Sequence, residues 1–334
     1  MTEKIKLIAE TAWHHEGDYS FMKDLVSQIC ELSSANVVKM HITLDFDEYM
    51  SQDHESYYQL NKWLFSEEQW EALIDIVKSN GKELLLLLND TRAIKFAAQY
   101  NPEFVELHSV CLNVPKLQQA IIEEFNNRVK IVIGVGGCTI QEIDNALRIF
   151  NQRETILMFG FQNFPTKYSD INLKKIQKIQ SLYSDRRYGY ADHTAWNEEN
   201  NEMITLLLSA NKMQYVEKHV TTEYGNERCD FSAAISIEML NSLANKINIL
   251  DCIAGHGSLQ LNEAERQYSK LGPMKMVGVA NKSLKKGEKV ILGDINFCRT
   301  SQTTDISQVE LLEYIKKPLQ KDLEVNTVFS SIHF

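Results

Sequence analysis

No apolar run in this 334-residue sequence approaches the ~20 residues a membrane-spanning helix needs, so no helical membrane anchor is expected. The N-terminus, Met1-Thr2-Glu3-Lys4 leading into Ile5, Leu7 and Ile8, lacks the long apolar segment and small-residue cleavage site of a secretory signal. That absence predicts a cytoplasmic protein. The six cysteines have no short paired spacing, which excludes a disulfide framework or zinc ribbon and predicts reduced thiols. There is no basic block, and the formal net charge is −10, so neither nucleic acid nor an anionic membrane is an expected partner. What is present, 44% hydrophobic and 24% charged residues, is the composition of a globular chain long enough for one large α/β domain and a small second one. The expected ligand is a small molecule.

Short apolar or β-branched runs alternate with longer amphipathic stretches to about residue 255. The runs predict strands over 6–9, 37–41, 83–88, 104–108, 130–134, 155–159, 187–190 and 214–219. Near-continuous apolar runs fit strands covered on both faces, as in a parallel sheet. Between them the periodicity predicts helices over 19–32, 67–79, 116–125, 140–150, 172–183 and 198–210. Ser66 ahead of Gln69 has capping-box spacing, and Gly81 follows the helix predicted to end at Ser79. Eight βα units predict a closed (β/α)8 TIM barrel over residues 1–255, with an open doubly wound sheet as the structural alternative. Residues 256–275, with His256-Gly257-Ser258 at one end and Gly272-Pro273 at the other, read as a linker. Residues 276–334 read as a small module of strands and turns.

In such barrels the chemistry sits at the C-terminal ends of the strands, so polar residues that end apolar runs are the candidates. They are Glu10, Lys39 and His41, Glu106 and His108, Asp192-His193, and Glu217-Lys218-His219. Two histidines from adjacent strands, His193 and His219, could share a divalent metal and leave positions open for water or a carbonyl oxygen. The competing reading is that each histidine only hydrogen-bonds a loop. Glu10 and Lys39 could pair with each other, because unpaired buried charge costs several kcal/mol.

These residues resemble those of the sialic acid (N-acetylneuraminate) synthase family. The resemblance runs through Ile8-Ala9-Glu10, His15-Glu16-Gly17-Asp18 and Val38-Lys39, then Phe164-Pro165-Thr166-Lys167-Tyr168. It continues in order through Gly189-Tyr190-Ala191-Asp192-His193-Thr194, Glu217-Lys218-His219-Val220-Thr221 and Asp230-Phe231-Ser232. The segment Ser283-Leu284-Lys285-Lys286-Gly287-Glu288, with Asp294 and Arg299, resembles that family's antifreeze-like (SAF) domain. The resemblance implies condensation of phosphoenolpyruvate with an N-acyl amino sugar to give a nonulosonic acid, with a Mn-, Mg- or Zn-type ion. It implies metal ligation by His193 and His219, catalytic roles for Glu10, Lys39 and Asp230, and substrate binding by His41, Glu106, Gln162, Phe164 and Arg299. It further implies a domain-exchanged homodimer in which Arg299 enters the partner's barrel.

The departures concern phosphate. Where the family has a lysine, a Ser-Thr-Gly turn, a serine and an asparagine, this chain has Glu106, Gly134-Val135-Gly136, Ala191 and Gln162. A carboxylate in place of a lysine ~4 Å from phosphate turns an attraction into a repulsion of about 4 kcal/mol at an effective dielectric near 20. Gly134, Gly136 and Gly137 could offer backbone N–H groups to an anion at the following helix, or form only a tight turn. Cys111, Phe164 and Arg228-Cys229 also depart from the family pattern. Three readings follow: a synthase with rearranged phosphate donors, a metal-dependent aldolase, lyase or isomerase of a sugar acid that no longer uses phosphoenolpyruvate, or a non-catalytic sugar-binding subunit.

Overall fold

Strands buried on both faces need apolar side chains pointing both ways, and the short apolar runs supply them. The computed structural model describes residues 4–160 and 163–334. Its first eight strands are β1 (Lys6–Glu10), β2 (Val37–Ile42), β3 (Glu83–Leu88), β4 (Phe104–Leu107), β5 (Lys130–Gly134), β6 (Thr155–Phe159), β7 (Arg187–Asp192) and β8 (Tyr215–His219). All pair in parallel and in order, and β8 closes on β1, with Glu10 in register with both Lys39 and His219. This is the closed (β/α)8 barrel, and the open sheet is excluded.

A helix follows each strand: α1 (Tyr19–Leu32), α2 (Glu67–Ser79), α3 (Thr91–Ala98), α4 (Pro115–Glu124), α5 (Ile140–Ile149), α6 (Leu173–Leu182), α7 (Asn201–Ser209) and α8 (Ile237–Ala254). Their starts are chemically specified. Ser66 Oγ accepts from Gln69 N while the Gln69 amide oxygen accepts from Ser66 N, and Thr139 with Glu142 does the same for α5. The sequence pattern did not single out α3 or α8. The eight-residue α3 is too short for its periodicity to stand out, and it is started by Asp90, which accepts from Ala93 N.

Two apolar layers hold the barrel. One lies between strands and helices and includes Leu25, Ile74, Leu84 and Ile121. The other fills the barrel interior with Ile8, Val37, Leu85, Phe104, Val132, Ile156 and Tyr215. Side chains alternate along a strand with period two. The inward positions after Ile8, Val37, Phe104 and Tyr215 are therefore Glu10, Lys39, Glu106 and Glu217. The apolar plug thus sits beneath a polar layer at the C-terminal ends.

Residues 257–334 form a second compact unit. Strands β9 (Val277–Ala280) and β10 (Ile295–Cys298) pair antiparallel, and bridges join Val279 to Val328, Leu284 to Leu323 and Lys289 to Pro318. Its own small core contains Ala280, Leu284, Ile295, Leu311 and Phe329. The stretch read as a linker is more structured than expected. It carries a helix, Glu263–Tyr268, with a capping box between Asn262 and Glu265. Among the described residues, no helix is long and apolar enough to cross a membrane.

Candidate active site

The inward, strand-end residues meet in a cavity of about 280 Å³ at the C-terminal end of the barrel. Glu10 is its centre. One carboxylate oxygen, Oε1, is in a close hydrogen bond with His41 Nε2 and lies 3.4 Å from Lys39 Nζ. The other, Oε2, lies 3.3 Å from His219 Nε2. His219 Nε2 is in turn 3.2 Å from His193 Nε2, with the two ring planes at 88°. The three donor atoms of Glu10, His193 and His219 all fall within 4.8 Å of one another, and all three residues are buried.

That donor set fits a divalent cation. Two imidazole nitrogens bound to one ion at about 2.1 Å each stand roughly 3 Å apart. Lone pairs of two imidazoles and a carboxylate turned on one another repel unless a proton or cation lies between them. Burial, reinforced by His219, pushes the His193 pKa down to about 3, so the ring is neutral and able to ligate. Burial alone would raise the Glu10 pKa, but Lys39, a hydrogen bond from Glu217 and the nearby His219 and His41 outweigh it and hold the carboxyl well below the usual range. Glu10 therefore joins the two histidines as a third possible ligand, which strand-end polarity alone did not indicate.

Lys39 is enclosed by acids. Its Nζ lies 2.9 Å from Glu106 Oε2, 3.0 Å from Glu217 Oε1 and 3.4 Å from Glu10 Oε1. Burial disfavours the ammonium, yet the three carboxylates hold its pKa well above the ordinary lysine value. Three carboxylates around one ammonium out of water cannot all be ionised. Burial and the charge of Glu10 raise Glu217 well above the usual range, and burial raises Glu106. Glu10 keeps the charge while the other two are driven towards the acid form. This corrects the expected open repulsion between Glu106 and a phosphate: Glu106 faces Lys39, and its charge is suppressed. Lys39, in turn, donates to Glu217 Oε1 and has the carboxyl groups of Glu106 and Glu10 close by.

The remaining predicted residues divide. Asp230 lines the cavity and fixes one oxygen, Oδ2, by accepting from Trp13 N at 3.0 Å. Phe164 also lines it, with its ring centroid 6.1 Å from that of His193 and 6.0 Å from that of His219. Gln162 lies outside the described residues. Arg299 lies in the second unit, where its guanidinium donates to Pro273 O at 2.7 and 2.9 Å. Gly134 and Gly136 line the cavity, and Gly134 is required there because a Cβ would come within 2.8 Å of Ser109 N. The α5 N-terminus is taken by its own Glu142, whose Oε2 accepts from Thr139 N at 2.7 Å, so that helix end already holds a carboxylate.

Asp192 and Lys218 were candidates by position, but the period-two alternation turns them outward. Lys218 Nζ lies 3.1 Å from Asp192 Oδ2 and 2.8 Å from Asn201 Oδ1, in a wholly buried pair between barrel and helix. Sequence reasoning passed over Trp13, Asn89 and Ser109, which line the cavity from loops beyond the strand ends. No strand periodicity marks such positions. Glu217 was noted only as part of a triplet. Its spacing of two from His219 is the signal that assigns it inward.

The NeuB family sequence profile matches residues 29–258. The chain is 24% identical to the N,N'-diacetyllegionaminic acid synthase of Legionella pneumophila, covering 96% of this chain and 92% of that one. It is 22% identical to the human N-acetylneuraminate-9-phosphate synthase, covering 78% of this chain and 74% of that one. Its fold is similar to that of the N-acetylneuraminic acid (sialic acid) synthetase of Leptospira borgpetersenii, solved with citrate. That similarity has a TM-score of 0.72 and 21% identity over 80% of this chain and 90% of that one. With the barrel, its strand-end carboxylate and paired histidines, and a profile match over more than half of its length, the chain belongs to the NeuB family.

Proposed function

We propose that this protein is a sugar-acid synthase that joins the enol carbon of phosphoenolpyruvate to the aldehyde carbon of an N-acyl amino sugar, giving a nonulosonic acid and phosphate. The observation that carries this reading is the convergence of Glu10, His193 and His219 in the barrel mouth. The names of the similar synthases support it. A divalent ion held by His193 and His219, with Glu10 Oε2 beside them, would supply Lewis acidity toward the sugar carbonyl oxygen. Glu10, in contact with His41 and Lys39, would accept a proton from the water that adds to the enolpyruvyl carbon. The pKa of Glu217, raised well above the usual range by burial and by Glu10, would give the same cavity a carboxyl group able to donate to a developing alkoxide. Asp230 keeps its second oxygen for a sugar hydroxyl, and Phe164 screens the imidazoles from water. Arg299 would reach the sugar from the partner of a domain-exchanged homodimer.

One observation favours a second reading, in which the donor is an enolisable 2-oxo acid without phosphate. Lys39 is the one lysine or arginine among the described residues lining the cavity, and its ammonium already lies within 3.4 Å of three carboxyl groups. Both readings are tested by supplying phosphoenolpyruvate or pyruvate with a panel of N-acyl hexosamines and divalent ions, following phosphate release and product mass. A nine-carbon 2-oxo acid formed from phosphoenolpyruvate, and lost about 100-fold or more in Glu10→Gln, is the outcome expected of the synthase. Robust turnover of phosphoenolpyruvate with N-acetylmannosamine removes the second reading. Product from pyruvate alone removes the first, and turnover of neither donor with any acceptor removes both.

A further inference from the structure

Beside the candidate metal site, one ring nitrogen of His14 and one of His219 are buried without a hydrogen-bond partner among the described residues, and they are complementary. His14, in the loop after β1, is wholly buried, and its Nδ1 lies 2.6 Å from Cys229 O. A carbonyl oxygen only accepts, so Nδ1 carries the proton, and the neutral ring leaves Nε2 as a bare acceptor. That Nε2 is one of the orphaned atoms. Nδ1 of His219 is another. His219 presents Nε2 to His193 and Glu10, so when Nε2 gives its lone pair to a cation, Nδ1 must bear the hydrogen.

An acceptor without a donor thus adjoins a donor without an acceptor. The two rings meet edge-on at 85° with centroids 5.7 Å apart. Imidazoles joined nitrogen to nitrogen by a hydrogen bond of about 3 Å have centroids roughly 5 Å apart, a separation near the one between these two rings. His14 is not itself part of the converging donor set of Glu10, His193 and His219.

We propose that His14 is a positioning residue for the metal site: its Nε2 accepts the Nδ1–H of His219 and fixes that ligand's tautomer and tilt. Cys229 O holds His14 from behind, which ties the loop after β1 and the loop after β8 to one ligand. The inference rests on the metal reading of the site and goes beyond it by assigning a residue that no strand-end pattern marks. The expected effect of losing such an outer partner is a 10- to 100-fold weaker ion affinity, with the site otherwise present.

The test titrates the chelator-stripped full-length protein with Co²⁺ and Zn²⁺ by calorimetry, and records the Co²⁺ visible absorption. Wild type, His14→Ala, His14→Gln and His193→Ala are compared, each first checked for an unchanged circular dichroism spectrum and melting curve. Wild type should bind one ion per chain, and His193→Ala should lose it. His14→Ala should bind about 10- to 100-fold more weakly with a shifted Co²⁺ band, and His14→Gln, whose amide oxygen can accept, should recover part of the loss. A folded His14→Ala with affinity and spectrum like wild type overturns the proposal while leaving the metal reading intact. Complete loss of binding in folded His14→Ala overturns it in favour of direct ligation. A wild-type protein that binds neither ion overturns the metal reading itself. If His14→Ala does not fold, His14→Gln decides: near-wild-type affinity with a ligand-field band at the wild-type position upholds an acceptor role, and failure to bind refutes it.

Discussion

Lys39 shows how one side chain can hold several functional groups in place. Its ammonium lies within 3.4 Å of Glu10, Glu106 and Glu217, and its removal leaves the Glu10 carboxylate buried without its main cation. Lys39→Met should lower the unfolding free energy by about 3–5 kcal/mol at neutral pH, measured by urea denaturation. The loss should shrink on acidification. In the variant, burial without Lys39 raises the folded-state pKa of Glu10 above its unfolded value, so its protonation stabilises the fold at low pH and that gain disappears as pH rises. An unchanged denaturation midpoint at pH 7 would mean that the cage is dispensable. At this scale much was legible, because Glu10, Lys39, His193 and His219 each end an apolar run. The identity of Lys39's partners was not, since Glu217 lies 178 residues away and nothing local marks it as a neighbour.

The elements β7, β8 and α7 are joined by a second buried charge pair that has no access to the cavity. Burial pushes the Asp192 pKa up, but Lys218 and the hydroxyls of Thr194 and Thr205 outweigh it and hold Asp192 below the ordinary aspartate value of 3.8. Lys218 itself is pushed down from 10.5 by burial, because one carboxylate and one amide oxygen support it less fully than four donors support Asp192. A carboxylate whose folded-state pKa is depressed contributes stability that is complete above its unfolded pKa and lost as pH falls through the folded one. Unfolding free energy should therefore decline below about pH 4, and Asp192→Asn should flatten that decline while costing about 3 kcal/mol at pH 7. A variant whose acid limb matches wild type would assign the decline to other carboxylates. Strand and helix positions were largely readable from periodicity and caps such as Ser66 with Gln69. Short helices such as Thr91–Ala98 and Glu263–Tyr268 were not, because one or two turns give too few repeats to distinguish a helix from a loop.

At the scale of the whole molecule, the proposed exchange of C-terminal units predicts a particle of twice the 38.5 kDa chain mass by light scattering. Arg299→Ala should leave that mass unchanged while raising KM for the sugar about 10-fold or more, as expected for a charged hydrogen bond to substrate. A fully active monomer would remove the exchanged arrangement. The sequence by itself determined the barrel, the end of it that carries the chemistry and the residue types available there. Those depend on local properties: burial on both faces of a strand, and polarity where an apolar run stops. Only the tertiary structure decided which polar residues face each other. Closure of β8 on β1 puts His219 and Glu217 against Glu10, and the two-residue alternation sends Lys218 and Asp192 to the opposite face. It also decided that Glu106 faces a buried lysine with its pKa raised by burial, since the charge a buried carboxyl carries depends on its neighbours in space and on exclusion of water, and neither is written along the chain.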